Sequence, residues 1–487
     1  LGIVLIESRH KPGLRRYHKQ KLAWILSSQR HFALEQAQRG VQVDYRFSDQ
    51  PYAAVLERVI AERGPLVMMQ AAERELRLAL DPLVRAGRIR VQPHGGWLST
   101  EADFVKAGKG PFRMDPFYRH LRKKTGILMQ DGKPLGGKVS HDADNRRPWK
   151  GTPPAPEPPS FVVDEITEEV LVLIQETFSD HPGALDGSQI PASQEQAQAL
   201  WEWAKEQCLI HFGPYEDAMS TGSRGLFHTR IAPLLNLHRL LPLQVVQDVL
   251  AMDVPLNSKE GFVRQILGWR EFVRHIHRVT DGMRSLDGAP LVDPLVRQGD
   301  LPAAYWGGSP SGLRCLDLEV QAVWETGWTH HIPRLMVLSN IATLLDVAPA
   351  QLSHWFWVGF VDAFDWVVEP NVLGMGTYGV GEVMTTKPYV SGANYIHKMG
   401  DACKGCAFHP KKNCPITPMY WAFLGRHAAH FSGNHRMNIV MALLKKRPEE
   451  KRSMDQAVLD WVREVLGQGH RLHPQDHPQD TKALRLL

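Results

Sequence analysis

The sequence predicts an α/β N-terminal domain followed by a large all-helical domain. Near the N-terminus, short apolar runs alternate with amphipathic helical patterns, which is typical of strands joined by right-handed crossovers in a parallel, Rossmann-like sheet. Residues 126–160 are rich in Pro, Gly and charge, and beyond them apolar residues recur with helical spacing. We therefore predict an α/β domain at 1–125, a linker at 126–160 and a helical domain at 161–487.

The elements of the first domain follow from these patterns in order. Gly40 ends the first long helical pattern. The predicted strands are Leu1 to Ile6, Val41 to Phe47, Leu66 to Met69 and Ile89 to Gln92. The predicted helices are Tyr17 to Arg39, Tyr52 to Arg63 and Ala71 to Ala86. A ligand of such a sheet is expected beyond the carboxyl ends of its strands.

The linker is expected to be extended, because six prolines between 148 and 159 cannot lie inside a helix. Helical periodicity then predicts helices at Gln194 to Gln207, Leu240 to Met252, Phe262 to Val279 and Gln321 to Leu345. A helical domain of about 300 residues is large for one core. A bound cofactor in its centre would explain that size.

Composition excludes several classes of protein. The 487 residues are 43% hydrophobic and 22% charged, with a net charge of +5, which is typical of globular chains and not of disordered or fibrous ones. No run of 18 apolar residues predicts a membrane span. Five cysteines, an odd number, favour a reducing compartment, for which we expect the cytoplasm. The chain starts at Leu1 without Met, so we expect residues upstream.

Three cysteines form a C-x2-C-x7-C pattern at Cys403, Cys406 and Cys414, with Cys315 far upstream. Four thiolates suit a 4Fe-4S cluster or a structural zinc ion, and the Cys-Pro ending favours the cluster. In the zinc alternative, His409 replaces one sulfur. Lysines 404, 411 and 412 are expected to favour thiolates. Cys208 lies in a helical pattern and is interpreted as packing, and chance is a poor explanation for three cysteines in twelve residues.

Three further segments carry a resemblance: 223–236 around His228-Thr229-Arg230, 268–274 around Trp269-Arg270-Glu271, and 362–371 from Asp362 to Asn371. Together they resemble the flavin-binding half of the cryptochrome/photolyase family. With the cysteines, the chain is similar to the bacterial iron-sulfur branch, which includes (6-4) photolyases and related cryptochromes. The resemblance covers nearly the whole chain.

The resemblance implies a site for FAD. It implies that His228, Thr229 and Arg230 bind the diphosphate of FAD. It places Asn371 opposite flavin N5. It places Asp365, with Asp362 beside it, near the adenosine and the isoalloxazine ring. It places Trp269 and Arg270 on a helix between flavin and substrate, from which Glu271 reaches the lesion. The residues alone also allow helix starts, loop acids and core packing at these positions.

The resemblance implies a lesion pocket and an electron relay as well. The pair His330-His331 would donate a proton to a (6-4) photoproduct, since His titrates near neutral pH. Aromatic positions around the lesion match Tyr389 and Tyr395, which stack on a flipped base or simply pack. The relay is assigned to Trp355 near the flavin and Trp306 outside, with Trp357 a further candidate. Phe356 would conduct electrons poorly.

The function implied is light-driven repair of (6-4) photoproducts in UV-damaged DNA. The protein is expected to be a cytoplasmic bacterial monomer that associates with the nucleoid when it binds DNA and does not bind membranes. Its cofactors would be FAD, a 4Fe-4S cluster and a 6,7-dimethyl-8-ribityllumazine antenna. The segment 221–278 contains eight Arg and Lys residues but only four acidic residues. This excess predicts a positively charged protein surface that binds DNA. The alternatives are a signalling cryptochrome with the same cofactors and an iron-sulfur nucleic-acid-binding protein without photochemistry.

Overall fold

The computed structural model describes residues 2–108 and 110–479. Four strands lie in the N-terminal part, as predicted. The strand Gly2–Ser8 pairs in parallel with Gln42–Ser48, and Leu66–Met69 pairs in parallel with Ile89–Gln92. Leu1, the first residue of the predicted strand, lies outside the described residues. The strand pairs form two separate two-stranded sheets in the described part of the chain, instead of the single sheet expected.

Six helices accompany these strands: His10–Leu14, Lys19–Gln38, Tyr52–Arg63, Arg74–Arg85, Glu101–Ala107 and Met114–Thr125. Local capping explains their ends. The ring of His18 accepts a hydrogen bond from the Gln20 amide, so the second helix begins at Lys19 and not at Tyr17. Thr100 and Asp103 form a reciprocal capping box.

The segment 126–160 contains a short hairpin, Met129–Gln130 with Lys133–Pro134, and two turns of 3₁₀ helix. It packs against the helical part of the chain. The His141 amide donates to Glu260 at 2.8 Å, and the Asn145 side chain donates to the buried carboxylate of Glu216 at 2.8 Å. This segment is therefore part of the wall of the helical domain.

From residue 161 to residue 479 the chain is largely helical, which confirms the predicted order of an α/β part followed by a helical part. No helix within the described ranges has both the length and the apolar character needed to span a membrane. Two small hairpin strands, Ser285–Leu286 and Ala289–Pro290, interrupt the helices. The α-helices are Glu165–Thr177, Gln194–Trp203, Leu209–Phe212, Ala232–Asn236, Pro242–Ala251, Leu256–Val263, Glu271–Val279, Arg314–Thr326, Asn340–Leu344, Pro349–Gly359, Asp365–Glu369, Ala393–Met399, Ile416–Arg426, Asn438–Lys445 and Glu449–Gly467.

Four π-helical segments are joined to these helices: Ala204–Cys208, Arg264–Arg270, Pro333–Ser339 and Pro370–Gly376. Such segments are rare and are often found at functional sites. Here the predicted helix at Phe262 to Val279 is continuous but contains one of them. The predicted helix at Gln321 to Leu345 is wrong as a single element. The first helix ends at Thr326 and is capped by Gly327, whose φ of 67° only glycine adopts easily, and helix resumes at His331.

The two domains share one hydrophobic core and several buried polar contacts. The ring of His18 contacts the carbonyls of Val323 and Trp324 at 3.0 and 3.2 Å, where the helix Arg314–Thr326 ends. The ammonium of Lys21 donates to the carbonyls of Trp357 and Ala363. The N-terminal domain therefore terminates two helices of the other domain.

Because His18 is buried, its pKa is lowered to about 4. In the unfolded chain the His18 ring takes up a proton near pH 6.5, whereas in the folded protein it does so only near pH 4. The folded state is therefore stabilised less and less as pH falls from 6.5 towards 4. Between pH 7.5 and 5 we expect wild type to lose about 2 kcal/mol more unfolding free energy than His18→Gln. Urea unfolding at both pH values measures this difference. The exposed control His435→Gln should follow wild type, and equal losses in all three proteins would contradict the assignment.

Candidate cofactor and substrate site

Three histidines meet in the helical domain. The ring of His228 stacks on that of His330, with centroids 4.2 Å apart and planes 16° apart, and His331 meets His228 edge-on at 5.4 Å. His228 and His330 are buried, whereas His331 is exposed. The structure thus brings together a residue predicted to hold the cofactor and the pair predicted to meet the substrate.

These histidines are held neutral. Burial lowers the pKa of His228 and His330 well below its usual value. Desolvation by the protein atoms around its ring, together with the cations Arg264 and Arg334, lowers the pKa of His331 to about 4, although part of this side chain is open to solvent. Buried nitrogens of His228 (Nε2) and His330 (Nδ1) have no hydrogen-bond partner in the protein. A metal ion does not explain them, because nitrogen lone pairs lie in the ring planes and two stacked rings do not converge on one ion. The free nitrogens are instead suited to a bound organic group.

An ion pair lies beside the histidines. Arg334, in the π-helical segment Pro333–Ser339, donates to both carboxylate oxygens of Asp362 at 2.9 and 3.0 Å and to the Thr329 carbonyl at 2.7 Å. Its guanidinium lies 4.2 Å from the centre of the Phe360 ring. Asp362 therefore has the partner expected for a buried carboxylate. Arg334 was not predicted from the sequence, although its position three residues after His331 places it near that side chain in a helix.

A cavity lies next to His330. Its polar wall includes Thr221, Ser223, Arg224 and Glu319. Burial raises the pKa of Glu319 to about 7, and its carboxylate accepts a hydrogen bond from Thr329 at 2.6 Å. Hydroxyl groups, a guanidinium and an unpartnered histidine nitrogen are donors that suit a phosphate-bearing cofactor.

The two tyrosines predicted at the substrate share one electrostatic neighbour, Asp142, with the exposed His331. The Tyr395 hydroxyl donates to Asp217 at 3.1 Å. Tyr389 is 38% exposed. Asp142, in the segment between the domains, acts electrostatically on His331 and both tyrosines. Sequence patterns gave no signal for Asp142 or Asp217, since both reach the site from segments without a recognised motif.

Tryptophans connect the surface to the core. Trp306 is 45% exposed and Trp355 is fully buried. Between them lies Trp324, which stacks on Trp306 at 6.1 Å and meets Trp355 edge-on at 6.1 Å. Trp357, on the same helix as Trp355, instead lies under the guanidinium of Arg15 at 4.4 Å. Trp324 was not among the tryptophans predicted for this group.

Four cysteines line a second cavity: Cys315, Cys403, Cys406 and Cys414. All five cysteines of the chain are free thiols, and Cys208 is buried elsewhere. Burial raises the pKa of Cys315 well above its usual value and that of Cys414 to about 12. The expected effect of lysines 404, 411 and 412 is therefore wrong for the metal-free protein. Those lysines are exposed, and desolvation dominates.

The spacing of the cysteine sulfurs distinguishes a zinc site from a larger iron-sulfur cluster. Zinc binds thiolates at about 2.3 Å, so a tetrahedral site holds sulfurs about 3.8 Å apart. Over the described residues, only the histidine trio has three ligand atoms within 4.8 Å of one another. The cysteine sulfurs are thus spaced too widely for one zinc ion. His409, the alternative zinc ligand, is exposed and does not line the cavity.

Comparison with known proteins agrees with this arrangement. A (6-4) photolyase of Agrobacterium fabrum is 32% identical over 472 residues, which cover 92% of this chain and 92% of that protein. The chain belongs to the cryptochrome/photolyase family. Residues 2–190 match the family model described as deoxyribodipyrimidine photo-lyase-related protein.

Two solved structures share the photolyase fold. A bacterial class III photolyase from Agrobacterium tumefaciens aligns with a TM-score of 0.54 at 16% identity, over 99% of this chain and 90% of that one. A cryptochrome from Synechocystis aligns with a TM-score of 0.54 at 14% identity, over 77% and 76%. At these identities the similarity establishes the fold alone.

Some residues that the photolyase resemblance assigned to the flavin have other contacts here. Asp365 accepts from the Arg74 amide at 2.7 Å, so it caps the helix Arg74–Arg85 of the N-terminal domain. Arg230 stacks on Trp328 at 4.6 Å. Thr229 is buried next to His228. Asn371 lies on a π-helical segment, and its amide donates to Val367 at 2.8 Å. Their cofactor roles stay predictions.

The expectation that Glu271 reaches the lesion is wrong. Glu271 is fully buried, and it accepts hydrogen bonds from the amide and hydroxyl of Ser99 at 3.0 and 2.5 Å. Arg270, beside it, is sandwiched against Trp97 at 4.0 Å. Trp269 is half-buried and packs edge-on against Phe272. This helix contacts the N-terminal domain through Glu271 and Arg270.

The predicted positive surface between 221 and 278 is wrong for a related reason. Arg239, Arg264 and Arg270 are buried. Arg239 pairs with Glu35, and Arg224 and Arg278 pair with acids outside the segment. A count of charges in sequence does not report which of them are neutralised in the fold.

We expect Glu271→Gln to lower the unfolding free energy by about 3 kcal/mol, because loss of the carboxylate leaves the buried Arg270 and the half-buried Arg274, both 3.5 Å away, without their neighbouring negative charge. Urea unfolding measures the change. Glu206→Gln, at an exposed position, serves as the matched control and should match wild type within about 0.5 kcal/mol. A Glu271→Gln protein as stable as that control would show that the carboxylate does not hold the interface.

Proposed function

We propose that this protein is a light-driven (6-4) photolyase that repairs pyrimidine-pyrimidone photoproducts in DNA. The observation that carries the proposal is the position of His331. It is the exposed member of the histidine trio and shares the electrostatic neighbour Asp142 with Tyr389 and Tyr395, in a chain 32% identical to a protein named as a (6-4) photolyase. An exposed histidine and aromatic side chains at one substrate pocket would suit a flipped base that needs a proton.

FAD would be held in the helical domain, beside the histidine trio. Candidate contacts are the unpartnered nitrogens of His228 and His330, the hydroxyl and guanidinium groups of the adjoining cavity, and the Arg334–Asp362 pair. When bound, FAD supplies the light absorption and the electron transfer of the reaction. The protein residues bind and orient it and exclude water. The ribityllumazine antenna stays a prediction.

The structure assigns different tasks to the two adjacent histidines. His330 is 4% exposed and stacks on His228, so it supports the site. His331 is open to a substrate and lies near the cationic Arg264 and Arg334, which help to keep it neutral. We propose that His331 moves the proton during repair. Bound DNA phosphate would offset those cations and favour the protonated form.

For the cysteines we propose a 4Fe-4S cluster held by Cys315, Cys403, Cys406 and Cys414. Four buried or half-buried thiols around one cavity supply the ligand set, and their spacing exceeds that of a zinc site. Binding would release their protons, since thiolate is the ligating form. Five free thiols also suit a reducing cytoplasm.

DNA binding is proposed at the mouth around Tyr389. Arg146 and Arg436 are exposed and act electrostatically on this tyrosine. Cations at the entrance of a substrate pocket can neutralise phosphates on either side of a flipped nucleotide, which makes affinity depend on salt.

The decisive experiment uses the purified protein. We expect a flavin absorption spectrum and, after reduction, light-dependent loss of (6-4) photoproduct from an oligonucleotide. A preparation that contains FAD but leaves the lesion intact would favour a signalling cryptochrome. Absence of flavin would contradict both photochemical functions and favour a nucleic-acid-binding protein without photochemistry.

The role of His331 predicts a pH dependence. With a pKa of about 4 in the free protein, about one His331 in a thousand is protonated at pH 7, and this fraction rises about tenfold for each unit that pH falls. We expect kcat/KM for repair to rise as pH falls from 8 to 6 and His331→Ala to lose at least 100-fold of the rate. A flat profile, or an active alanine variant with bound FAD, would exclude His331 as the proton donor. His435→Ala is the control.

The cluster is tested by metal analysis. We expect about four irons and four acid-labile sulfides per chain, with loss of both in Cys406→Ala and in Cys315→Ala. Cys208→Ala, at a buried cysteine outside the cavity, should keep them. Zinc in place of iron, or full iron content in Cys315→Ala, would refute the proposed ligand set.

A further inference from the structure

We propose that the cationic surface around the cysteine cavity is a docking site for an acidic one-electron carrier protein, which reduces the iron-sulfur cluster in the dark. This inference rests on the proposed cluster, because the carrier needs an electron acceptor near the surface. We call this surface the cationic collar. It consists of five exposed side chains: Arg314, Lys398, Lys404, Lys411 and Lys412.

The collar follows the outline of the cavity. Each of the four cysteines that line the cavity has a collar residue within two positions of it in the chain. Arg314 also contacts the loop between the first two cysteines, since a Cβ built on Gly405 would lie 3.1 Å from its guanidinium carbon. Lys398 lies on the helix Ala393–Met399, which lines the cavity through Ala393 and Ile396.

The charges of the collar are not neutralised by the fold. Other cations of the helical domain, such as Arg224 and Arg447, pair with acids, whereas no ion pair involves a collar residue in the ranges 2–108 and 110–479. The one acid between residues 393 and 418 is Asp401, which accepts a hydrogen bond from the Thr221 amide at 2.8 Å. The collar therefore projects a positive potential into solvent.

The cavity lies close to this surface. Cys403 and Cys406 are only half-buried, and the neighbouring Gly405 and Ala407 are exposed. These small residues leave room for another protein to approach the two cysteines closely. Because electron transfer weakens steeply with distance, a redox partner of a buried group has to dock where the covering layer is thin. The collar surrounds such a place.

The composition of the collar favours an acidic protein over DNA. Four of its five cations are lysines, which are strongly hydrated point charges, whereas arginine is preferred for bidentate contacts with phosphate. A platform for base stacking is absent, since the one Phe, Tyr or Trp between 400 and 415 is Phe408, which is buried. Electron-transfer encounters are small and transient, and they are guided by complementary charge.

The inner side of the cysteine cavity points towards the proposed flavin site. Cys315 lines the cysteine cavity and also the cavity next to His330. One cysteine side chain is therefore shared by the proposed cluster site and the proposed cofactor site. A cluster held by Cys315 would stand between the carrier at the surface and the flavin in the core.

The electrons balance in single steps. In each encounter the carrier is oxidised by one electron and the cluster is reduced by one electron, and no bond forms or breaks. The cluster then returns to its oxidised state as it passes the electron to oxidised FAD. Two encounters supply the two electrons of full FAD reduction, and solvent supplies one proton.

The first test measures binding of a plant-type 2Fe-2S ferredoxin, an acidic one-electron carrier, to the iron-containing protein. We expect binding that weakens at least tenfold when NaCl is raised from about 50 to about 300 mM, because salt screens exposed charges. The collar variant carries Lys404→Gln, Lys411→Gln and Lys412→Gln. It should bind ferredoxin at least tenfold more weakly than wild type and keep its full iron content.

A matched variant controls for total charge. It carries Lys106→Gln, Lys123→Gln and Lys133→Gln, three exposed positions in the first third of the chain, and it should bind ferredoxin as wild type does. Equal binding by wild type and the collar variant would overturn the proposal. The same conclusion follows if the collar variant keeps its affinity for ferredoxin but loses affinity for duplex DNA, since the collar would then be a DNA surface.

The second test follows the electrons. The iron-containing protein should reoxidise reduced ferredoxin in the dark, and the collar variant should do so at least tenfold more slowly. Cys406→Ala, with the collar intact, should bind ferredoxin but not reoxidise it. Wild type that holds its iron and does not bind ferredoxin would refute the docking site alone. Wild type without iron would refute the proposed cluster, and the docking site with it.

Discussion

The contact on which the rest of the structure depends is the capping of two helix ends by His18 and Lys21. His18 meets the last carbonyls of the helix Arg314–Thr326, and Lys21 donates to carbonyls at and beyond the end of Pro349–Gly359. The aromatic rings of Tyr17 and Phe364 flank the Lys21 ammonium. Helix ends leave carbonyls without partners, and a buried end needs donors from elsewhere. The N-terminal domain supplies them and thereby fixes both helices.

Those two helices position most of the chemistry. The first carries Cys315 near its start and Trp324 near its end, and the histidine pair follows it directly. The second carries Trp355 and leads to Asp362. A small rotation of either helix would therefore move the thiol cavity, the contacting tryptophans and the histidine trio together. The α/β domain therefore helps to position the helical half through these capping contacts.

The sequence correctly predicted elements that depend on neighbouring residues, but it did not predict contacts between distant segments. Two strands, Leu66–Met69 and Ile89–Gln92, and the helix Tyr52–Arg63 have the bounds predicted, because apolar runs and flanking Gly or Pro act over a few residues. The division into two sheets was not predictable, since pairing joins distant segments. At the site, the histidine pair and the cysteines were found as motifs. Arg334, Asp142 and Trp324 were missed, because each acquires its partners only in the fold, and Glu271 was misassigned for the same reason.

The interdomain contacts also affect the order in which the protein matures. His18 lies 305 positions before its partner Val323, and the cap of the helix Arg74–Arg85 comes from Asp365. The N-terminal domain leaves the ribosome first and must wait for most of the chain before these polar groups are satisfied. Contacts of such long sequence separation make folding slow. The nascent α/β domain is therefore expected to remain incomplete, and dependent on chaperones, until synthesis passes the helix that ends at Glu369.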